Sequence, residues 1–182
     1  MHGILYTDKE GKAVSPLYTW QDQRGDQVNP ESGMSYAKEL SEITGYAMAT
    51  GFGLTTHYYN TKHGLIPEEA VSFCTIPDYV AFSIAREKAP LLHQSMAASL
   101  GIYNIQKGCF DAEAIERAGM DIRMLPQVTK ENALCGKTEE GIPVAVSLGD
   151  NQASFLGSVN EECKVLLLSL IHISEPTRLA LI

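Results

Sequence analysis

Short apolar segments separated by polar turns dominate the start of the chain. The apolar segment 3–7 is followed by the polar segment 8–12, and residues 13–18 again suit an extended conformation. Two apolar stretches joined by a short polar turn are typical of a β-hairpin. The pattern therefore predicts a hairpin over residues 3–18.

A helical spacing of apolar residues follows at residues 35–44. Tyr36, Leu40 and Ile43 recur near the helical period, and Gly45 stands where a residue in the left-handed conformation would end the helix. We predict a surface helix here.

The segment after Thr75 has the features of a helix start. A hydroxyl can cap free amides, and Pro77 near the first turn gives up no donor that the helix needs. The packed side of this helix is predicted to hold four apolar residues: Tyr79, Val80, Phe82 and Ile84.

The second half of the chain predicts one more helix and a strand. Asp111 begins a candidate helix with acidic residues in its early turns, Ile115 facing inward and Gly119 at its end. Residues 143–148, PVAVSL, form a short apolar run typical of a strand buried on both faces. Because strands and helices alternate, the expected fold class is α/β.

Composition and charge narrow the classes of function. The 182 residues are 45% hydrophobic and 20% charged, the balance of a globular domain, and the formal net charge is -8. Without a cluster of Lys and Arg, no nucleic acid partner is expected. No apolar run approaches the roughly 20 residues that cross a bilayer, and no targeting segment is evident, so we expect no membrane partner and a cytoplasmic protein. The oligomeric state is not predicted.

The spacing of the cysteines and histidines does not indicate a metal site. Four cysteines, Cys74, Cys109, Cys135 and Cys163, are scattered without CxxC pairs, and we predict that they are reduced and mostly buried. Three histidines, His57, His63 and His93, lack the i, i+4 spacing of a zinc-protease helix, so we interpret them as structural or solvated.

The segment Gly149-Asp150-Asn151-Gln152 directly follows the predicted strand 143–148. Ligands of open α/β sheets collect beyond the carboxyl ends of strands, where a carboxylate can accept the proton of a sugar hydroxyl that attacks a phosphoryl group. Asn151 and Gln152 supply donors and acceptors that suit a polyol. The alternative is that Asp150 only caps the following helix.

A second candidate site is the segment Trp20-Gln21-Asp22-Gln23-Arg24. A tryptophan ring can stack on the C–H face of a sugar while Asp and Arg bond its hydroxyls. The alternative is a core tryptophan beside a surface pair of Asp22 and Arg24. The glycines of segment 50–53 could let the backbone approach a ligand closely. The alternative is that they form a turn between two helices.

The end of the chain differs from what precedes it. Residues 168–178, LSLIHISEPTR, carry neither strand alternation nor a helical stripe, and the same peptide is encoded by a common transposase sequencing adapter read in one frame. We expect the native sequence to end near Leu167. We therefore assign residues 1–167 to one incomplete domain and residues 168–182 to an artefact.

Five segments occur in an order that resembles the N-terminal domain of the FGGY carbohydrate kinases: MHG, WQDQRG, TGFGLTTHYYN, CTIPDYVAFSIA and SLGDNQASFLGS. Within the family the chain resembles sedoheptulokinases most and xylulokinases next. The resemblance implies a ribonuclease H-like domain of the actin-like ATPase superfamily. Residues 1–167 would then be a partial sugar-binding domain, and its sheet is expected to be incomplete, because the resemblance implies that the chain is truncated at both ends.

The resemblance also implies roles for individual residues. Asp150 corresponds to the catalytic base, Asn151 to a sugar contact, and Met1 with His2 to a sugar-binding pair. Trp20 and Asp22 are further substrate contacts, although Gln21 departs from the more usual Asn.

The implied reaction is ATP-dependent phosphorylation of the terminal hydroxyl of a ketose, with Mg²⁺ balancing phosphate charge through ligands that lie mostly outside this chain. We expect the chain alone to be inactive. A xylulokinase-type pentulose kinase, a non-catalytic sugar-binding relative and a purely structural α/β module are the alternatives.

Overall fold

The computed structural model describes residues 3–158, apart from the side chains of Leu156 and Ser158. The chain divides into two compact units, Met1–Ser147 and Leu148–Ile182. The predictions for Met1 and His2, for Cys163, for a native end near Leu167 and for an artefact over 168–182 concern residues outside the described part.

The N-terminal hairpin forms as predicted, but only its first half is a regular strand. Strand β1 is Leu5–Thr7, and it bridges to the returning segment at Ala13 and, through Ile4, at Tyr18. Between these bridges the amide of Tyr6 donates to the hydroxyl of Ser15 at 2.9 Å. The hydroxyl of Ser15 thus takes the place of a backbone carbonyl as the acceptor. The next residue is Pro16, whose nitrogen has no hydrogen to donate to the ladder.

The other edge of β1 pairs antiparallel with β2, Ser72–Cys74. Tyr6 and Phe73 are fully buried opposite one another, with their ring centroids 6.2 Å apart in an edge-to-face arrangement. This pair lies in the hydrophobic core of the first unit.

Helix α1, Tyr36–Thr44, has the bounds that its sequence predicts. The hydroxyl of Ser35 accepts the amide of Lys38, and Gly45 ends the helix at a φ of 78°. Its apolar face buries Leu40 in the core.

Helix α2, Gly53–Lys62, is buried along nearly its whole length. Its first residue must be small, because a Cβ on Gly53 would lie 2.4 Å from a methyl of Leu100 and 2.7 Å from one of Ile4. Several of its buried side chains are polar: Thr55, Thr56, His57 and Asn60.

Helix α3, Ile76–Ile84, begins where predicted, but its predicted packed side is only half correct. Phe82 is buried and Tyr79 packs against the core, whereas Val80 and Ile84 are about half exposed. The hydroxyl of Thr75 donates to the carboxylate of Asp78 instead of capping an amide.

The next elements form a crossover between two parallel strands. Strand β3, Leu91–His93, pairs in parallel with β6, Gln127–Thr129. Between them lie α4, the antiparallel pair of β4 and β5, and α5: Gln94–Leu100, Tyr103–Asn104, Cys109–Phe110 and Ala112–Arg117. A parallel pair requires such a crossover.

Helix α5 confirms its sequence signals. The carboxylate of Asp111 accepts the amide of Ala114 at 3.1 Å, Ile115 is fully buried, and Gly119 follows at a φ of 74°. Capping by Asp and a left-handed glycine bound this short helix.

The strand at the end of the first unit is less buried than predicted. Strand β8, Pro143–Ala145, pairs antiparallel with β7, Leu134–Lys137. Pro143 and Ala145 are exposed, so the prediction of a strand buried on both faces is wrong. Within residues 3–158 the two strands form a pair without further neighbours, and such a ribbon leaves one side to solvent. Helix α6, Asp150–Ser158, belongs to the second unit.

The cysteines of the described part are free thiols. Cys74 is buried and Cys135 half-buried, but Cys109 is exposed, which corrects the expectation of mostly buried cysteines for this residue. Cys109 and Phe110 form a two-residue strand, in which successive side chains point to opposite faces. Phe110 faces the core, so Cys109 faces away from it.

Between residues 3 and 158, none of the helices has both the length and the apolar character needed to cross a membrane.

Candidate functional site

Asp150 is the first residue of α6, five positions after the last residue of β8. The carbonyl of Gly149 accepts the amide of Ala153 at 2.8 Å, so Gly149 occupies the capping position. The alternative that Asp150 is the N-cap residue is therefore wrong. Its carboxylate is exposed, and one oxygen accepts the amide of Asn151 at 3.0 Å.

Asn151 and Gln152 are exposed on the same first turn. A carboxylate at a helix N-terminus is stabilised in its charged form by the unpaired amides and the helix dipole. The first turn of α6 thus presents one negative group and two amide side chains to solvent. These groups can accept and donate hydrogen bonds to a polyol.

Trp20 lies on the surface of the first unit, with 60% of its area exposed. The alternative of a core tryptophan is therefore wrong. The backbone of Trp20 packs closely on Gly51, where a Cβ would lie 2.3 Å from the Trp20 carbonyl oxygen and φ is 86°. The glycine thus admits a close backbone approach, but to the tryptophan segment of the same chain.

Asp22 and Arg24 form a half-buried ion pair in the same loop. Oδ1 of Asp22 accepts both the backbone amide of Arg24, at 3.0 Å, and its Nε, at 2.7 Å. Each side chain keeps 18% of its area exposed, so the alternative of a surface pair is not what forms. The guanidinium also lies 4.4 Å from the ring centroid of Tyr18, a cation–π distance.

A chain of hydrogen bonds runs from Arg24 into the core. The guanidinium Nη1 donates to Oδ1 of Asn60, Nδ2 of Asn60 donates to the hydroxyl of Tyr6 at 3.1 Å, and that hydroxyl lies 2.9 Å from Nδ1 of His57. A guanidinium has only donors, so the amide oxygen of Asn60 faces Arg24 and its nitrogen faces Tyr6. The tautomer of His57 sets the direction of the last bond, between the Tyr6 hydroxyl and Nδ1.

The three histidines lie in unrelated surroundings. His57 bonds Tyr6, Nε2 of His63 bonds the hydroxyl of Tyr36 at 2.8 Å, and Nδ1 of His93 bonds the hydroxyl of Ser95 at 2.8 Å. Burial lowers the pKa of His57 to about 4, and the Asp121 charge offsets only part of this effect. In residues 3–158, potential metal ligands do not gather in groups of three or more.

A second buried polar cluster surrounds Glu39. Its carboxylate accepts Nδ2 of Asn29 at 2.7 Å, the hydroxyl of Ser32 at 2.5 Å and the hydroxyl of Tyr58. Burial acts to raise the pKa of Glu39, but the three hydrogen bonds and the nearby Lys62 outweigh it, so the pKa lies below its ordinary value. This cluster ties α1 to α2 and to the loop before α1.

The structure thus places the predicted residues in two groups. Trp20 and Asp22 share one loop of the first unit, and Asp150, Asn151 and Gln152 share the first turn of α6 in the second. Sequence reasoning missed Asn60 and Tyr6, which lie beneath Arg24. Asn60 is a polar residue of helix α2 and Tyr6 a residue of strand β1, and the sequence pattern does not mark either of them as buried.

Residues 1–157 match the FGGY family of carbohydrate kinases, N-terminal domain. The chain belongs to this family, as its motifs predicted. Sedoheptulokinase of Mus musculus is 32% identical over 192 residues, which cover 92% of the chain and 39% of the mouse protein.

Solved structures of sugar kinases share the fold. The ligand-bound xylulose kinase of Lactobacillus acidophilus superposes with a TM-score of 0.69 at 16% identity, over 86% of this chain and 34% of that one. Glycerol kinase of Plasmodium falciparum, solved with ADP, gives 0.63 at 15% identity, over 86% and 34% of the two chains. The predicted α/β fold class is confirmed, since the chain shares the fold of these kinases.

The chain therefore spans about two fifths of its mouse relative and about a third of these solved structures.

Proposed function

We propose that this chain is the sugar-binding part of an ATP-dependent kinase that phosphorylates the terminal hydroxyl of a ketose, with sedoheptulose as the preferred candidate. Membership of the FGGY family and 32% identity to a sedoheptulokinase support this proposal. The observation that carries it is the exposed carboxylate of Asp150, which begins a helix just beyond a strand.

Asp150 is the proposed general base. Its exposed carboxylate can accept the proton of the sugar hydroxyl while that oxygen forms a bond to the γ-phosphorus and the bond from phosphorus to ADP breaks. The amide of Asn151 and the N-terminal end of α6 stabilise the negative charge of this carboxylate. Asn151 and Gln152 orient the remaining hydroxyls from the same turn.

Trp20 and Asp22 are the proposed sugar contacts of the first unit. The exposed indole offers a flat apolar face for sugar C–H groups, and Asp22 offers a carboxylate oxygen for a hydroxyl. Met1 and His2 remain proposed contacts on the strength of the family resemblance.

ATP and Mg²⁺ are implied by the family. No set of metal ligands is present within residues 3–158, so we assign none of these side chains to Mg²⁺ and derive no step through it. The chain alone is expected to release no ADP in the presence of ATP and sedoheptulose, since positioning of both reactants supplies much of the rate.

The base assignment is tested by Asp150→Asn in a full-length kinase that carries this segment. We expect kcat to fall by about 10²- to 10⁴-fold with little change in KM, because binding groups remain while the proton acceptor is lost. Glu68→Gln, which neutralises an exposed carboxylate of the first unit, is the control. Retained turnover in a folded Asp150→Asn enzyme would refute the assignment.

Sugar binding can be tested on the chain itself, because Trp20 is its one tryptophan. Titration with sedoheptulose should change the intrinsic fluorescence of this exposed ring, and xylulose should act at higher concentrations. A stronger response to xylulose would favour the pentulose kinase. Calorimetry that finds no binding of any ketose would contradict the proposed sugar site.

A further inference from the structure

Two segments of the chain have the same Asp-x-Arg spacing and the same local geometry. In Asp22-Gln23-Arg24, Oδ1 of the Asp accepts the Arg amide at 3.0 Å and Nε at 2.7 Å. In Asp121-Ile122-Arg123 the corresponding distances are 2.9 and 3.0 Å. Each segment contributes to a short 3₁₀ helix, Arg24–Asp26 in one case and Ile122–Met124 in the other.

The two segments differ in where the outer end of the guanidinium binds. Nη2 of Arg123 donates to Oδ2 of Asp121 at 2.7 Å, so both oxygens of that carboxylate are engaged by one arginine. The Arg123 side chain is 87% exposed, and within residues 3–158 its hydrogen bonds go to Asp121. This pair is a closed, solvated ion pair.

The outer end of the Arg24 guanidinium is turned away from Oδ2, the second carboxylate oxygen of Asp22. Its Nη1 donates to Asn60, and in the described part of the chain Oδ2 of Asp22 has no hydrogen-bond partner. The carboxylate is thus fixed through one oxygen while the other keeps its acceptor capacity. A carboxylate oxygen ordinarily accepts about two hydrogen bonds.

The orientation of Arg24 is set from beneath. Asn60 presents its oxygen to Arg24 because its amide group donates to Tyr6, and Tyr6 in turn bonds His57. Above, the guanidinium lies against the ring of Tyr18 at 4.4 Å. Asn60, Tyr6 and His57 are all buried, so these supporting hydrogen bonds are shielded from water.

We propose that Arg24 is the positioning residue of the sugar site: it holds Asp22 by one carboxylate oxygen and leaves the other directed to a sugar hydroxyl. The inference rests on the proposed function, since it assigns Asp22 to the sugar. Arg24 itself touches no sugar in this arrangement. Sugar affinity then depends on buried side chains that lie beneath the ion pair.

The geometry of the ion pair between Arg24 and Asp22 can be tested without sugar and without any substitution. In NMR spectra of the native chain, the Nε–H signal of Arg24 should exchange with water at least about tenfold more slowly than that of Arg123: both groups are hydrogen-bonded, but the Arg24 side chain is mostly covered and that of Arg123 is exposed. Equal exchange at the two arginines would overturn the proposal.

The effect of Arg24 on sugar binding through Asp22 is tested by a double-mutant cycle, in which calorimetry measures the affinity for sedoheptulose. Lysine keeps the charge but cannot reach Asp22 and Asn60 with a planar fork, so Arg24→Lys should weaken binding about tenfold. In the Asp22→Ala background the same change should have no further effect. Arg123→Lys is the matched control and should leave affinity unchanged.

The outcomes separate the two proposals. If Arg24→Lys weakens binding equally in both backgrounds, Arg24 acts independently of Asp22 and the positioning role is wrong. If the native chain binds no ketose although Arg24 Nε–H is protected, the proposed function fails and the geometry of the ion pair stands.

Discussion

The hydroxyl of Tyr6 lies 2.9 Å from Nδ1 of His57, and both side chains are buried. Burial raises the pKa of the Tyr6 hydroxyl and lowers that of His57 to about 4. Both groups therefore stay neutral at physiological pH, and the support beneath Arg24 is an uncharged network.

Acid should weaken the fold through His57. The pKa of the folded state is about 4 against an ordinary 6.5, so protons bind the unfolded chain more tightly, and stability is lost as pH falls from about 6.5 to about 4. At pH 5 the loss from this group is about 2 kcal/mol. Urea unfolding at pH 7.5 and 5 measures it. His57→Gln should show a pH dependence smaller by that amount, and identical pH dependence would contradict the assignment.

Asp78 should titrate in the opposite sense. Burial raises its pKa from 3.8 to about 6, although hydrogen bonds from Ser147 and Thr75 act to lower it. The folded state then holds the proton more tightly, so the stability contributed by this group is lost as pH rises from about 4 to about 6. Its ¹³C carboxyl resonance should have a midpoint of about 6. Asp111, whose pKa is lowered by the amide of Ala114, is the comparison within the same spectrum.

Gly51→Ala should disturb the tryptophan loop. A Cβ there meets the Trp20 carbonyl oxygen at 2.3 Å, in addition to the strain of a left-handed residue. Gly33 has a φ of 69° and no atom within 4 Å of the built Cβ, so Gly33→Ala isolates that strain, about 1 kcal/mol. We expect Gly51→Ala to cost at least about 2 kcal/mol more. Only Gly51→Ala should shift Trp20 fluorescence. Equal costs for both would show that the contact relaxes freely.

Glu39→Gln should be strongly destabilising. The carboxylate accepts from Asn29, Ser32 and Tyr58, and an amide in its place turns one acceptor group into a donor facing other donors. A loss of about 3 kcal/mol in urea unfolding is expected. Glu42→Gln, at an exposed position of the same helix, should stay within about 0.5 kcal/mol of the native chain.

The same carboxylate gives a pH signature. Because the folded pKa of Glu39 lies below its ordinary 4.5, the stability it contributes is present above that value and is lost as pH falls below it. The Glu39→Gln variant should lack this loss. A native and a variant chain that weaken in parallel below pH 4.5 would speak against it.

Helices with local signals were predictable from the sequence. Ser35 and Gly45 bound α1, and Asp111 and Gly119 bound α5, because capping depends on residues within one turn of the helix end. The family motifs likewise predicted the fold class, since several of them occur in order along the chain.

Burial set by distant partners was not predictable. The half-exposed Val80 and Ile84 and the exposed Pro143 are apolar by sequence, but the chain offers them no covering element among the described residues. Conversely, Asn60 is polar but buried, and the nitrogen and oxygen of its side-chain amide bond Tyr6 and Arg24, 54 and 36 residues away. The periodicity of apolar residues shows which face of a helix or strand a residue lies on, but not whether another element covers that face.

The parallel pairing of β3 with β6 has a consequence for how the chain reaches its native state. The strands meet only after residues 94–126 have closed into a crossover, whereas the β4–β5 pair and the helices on either side of it need only near neighbours. Closing a long loop is entropically costly before its contacts form. We therefore expect the local elements of the first unit to form first and strand Gln127–Thr129 to dock late.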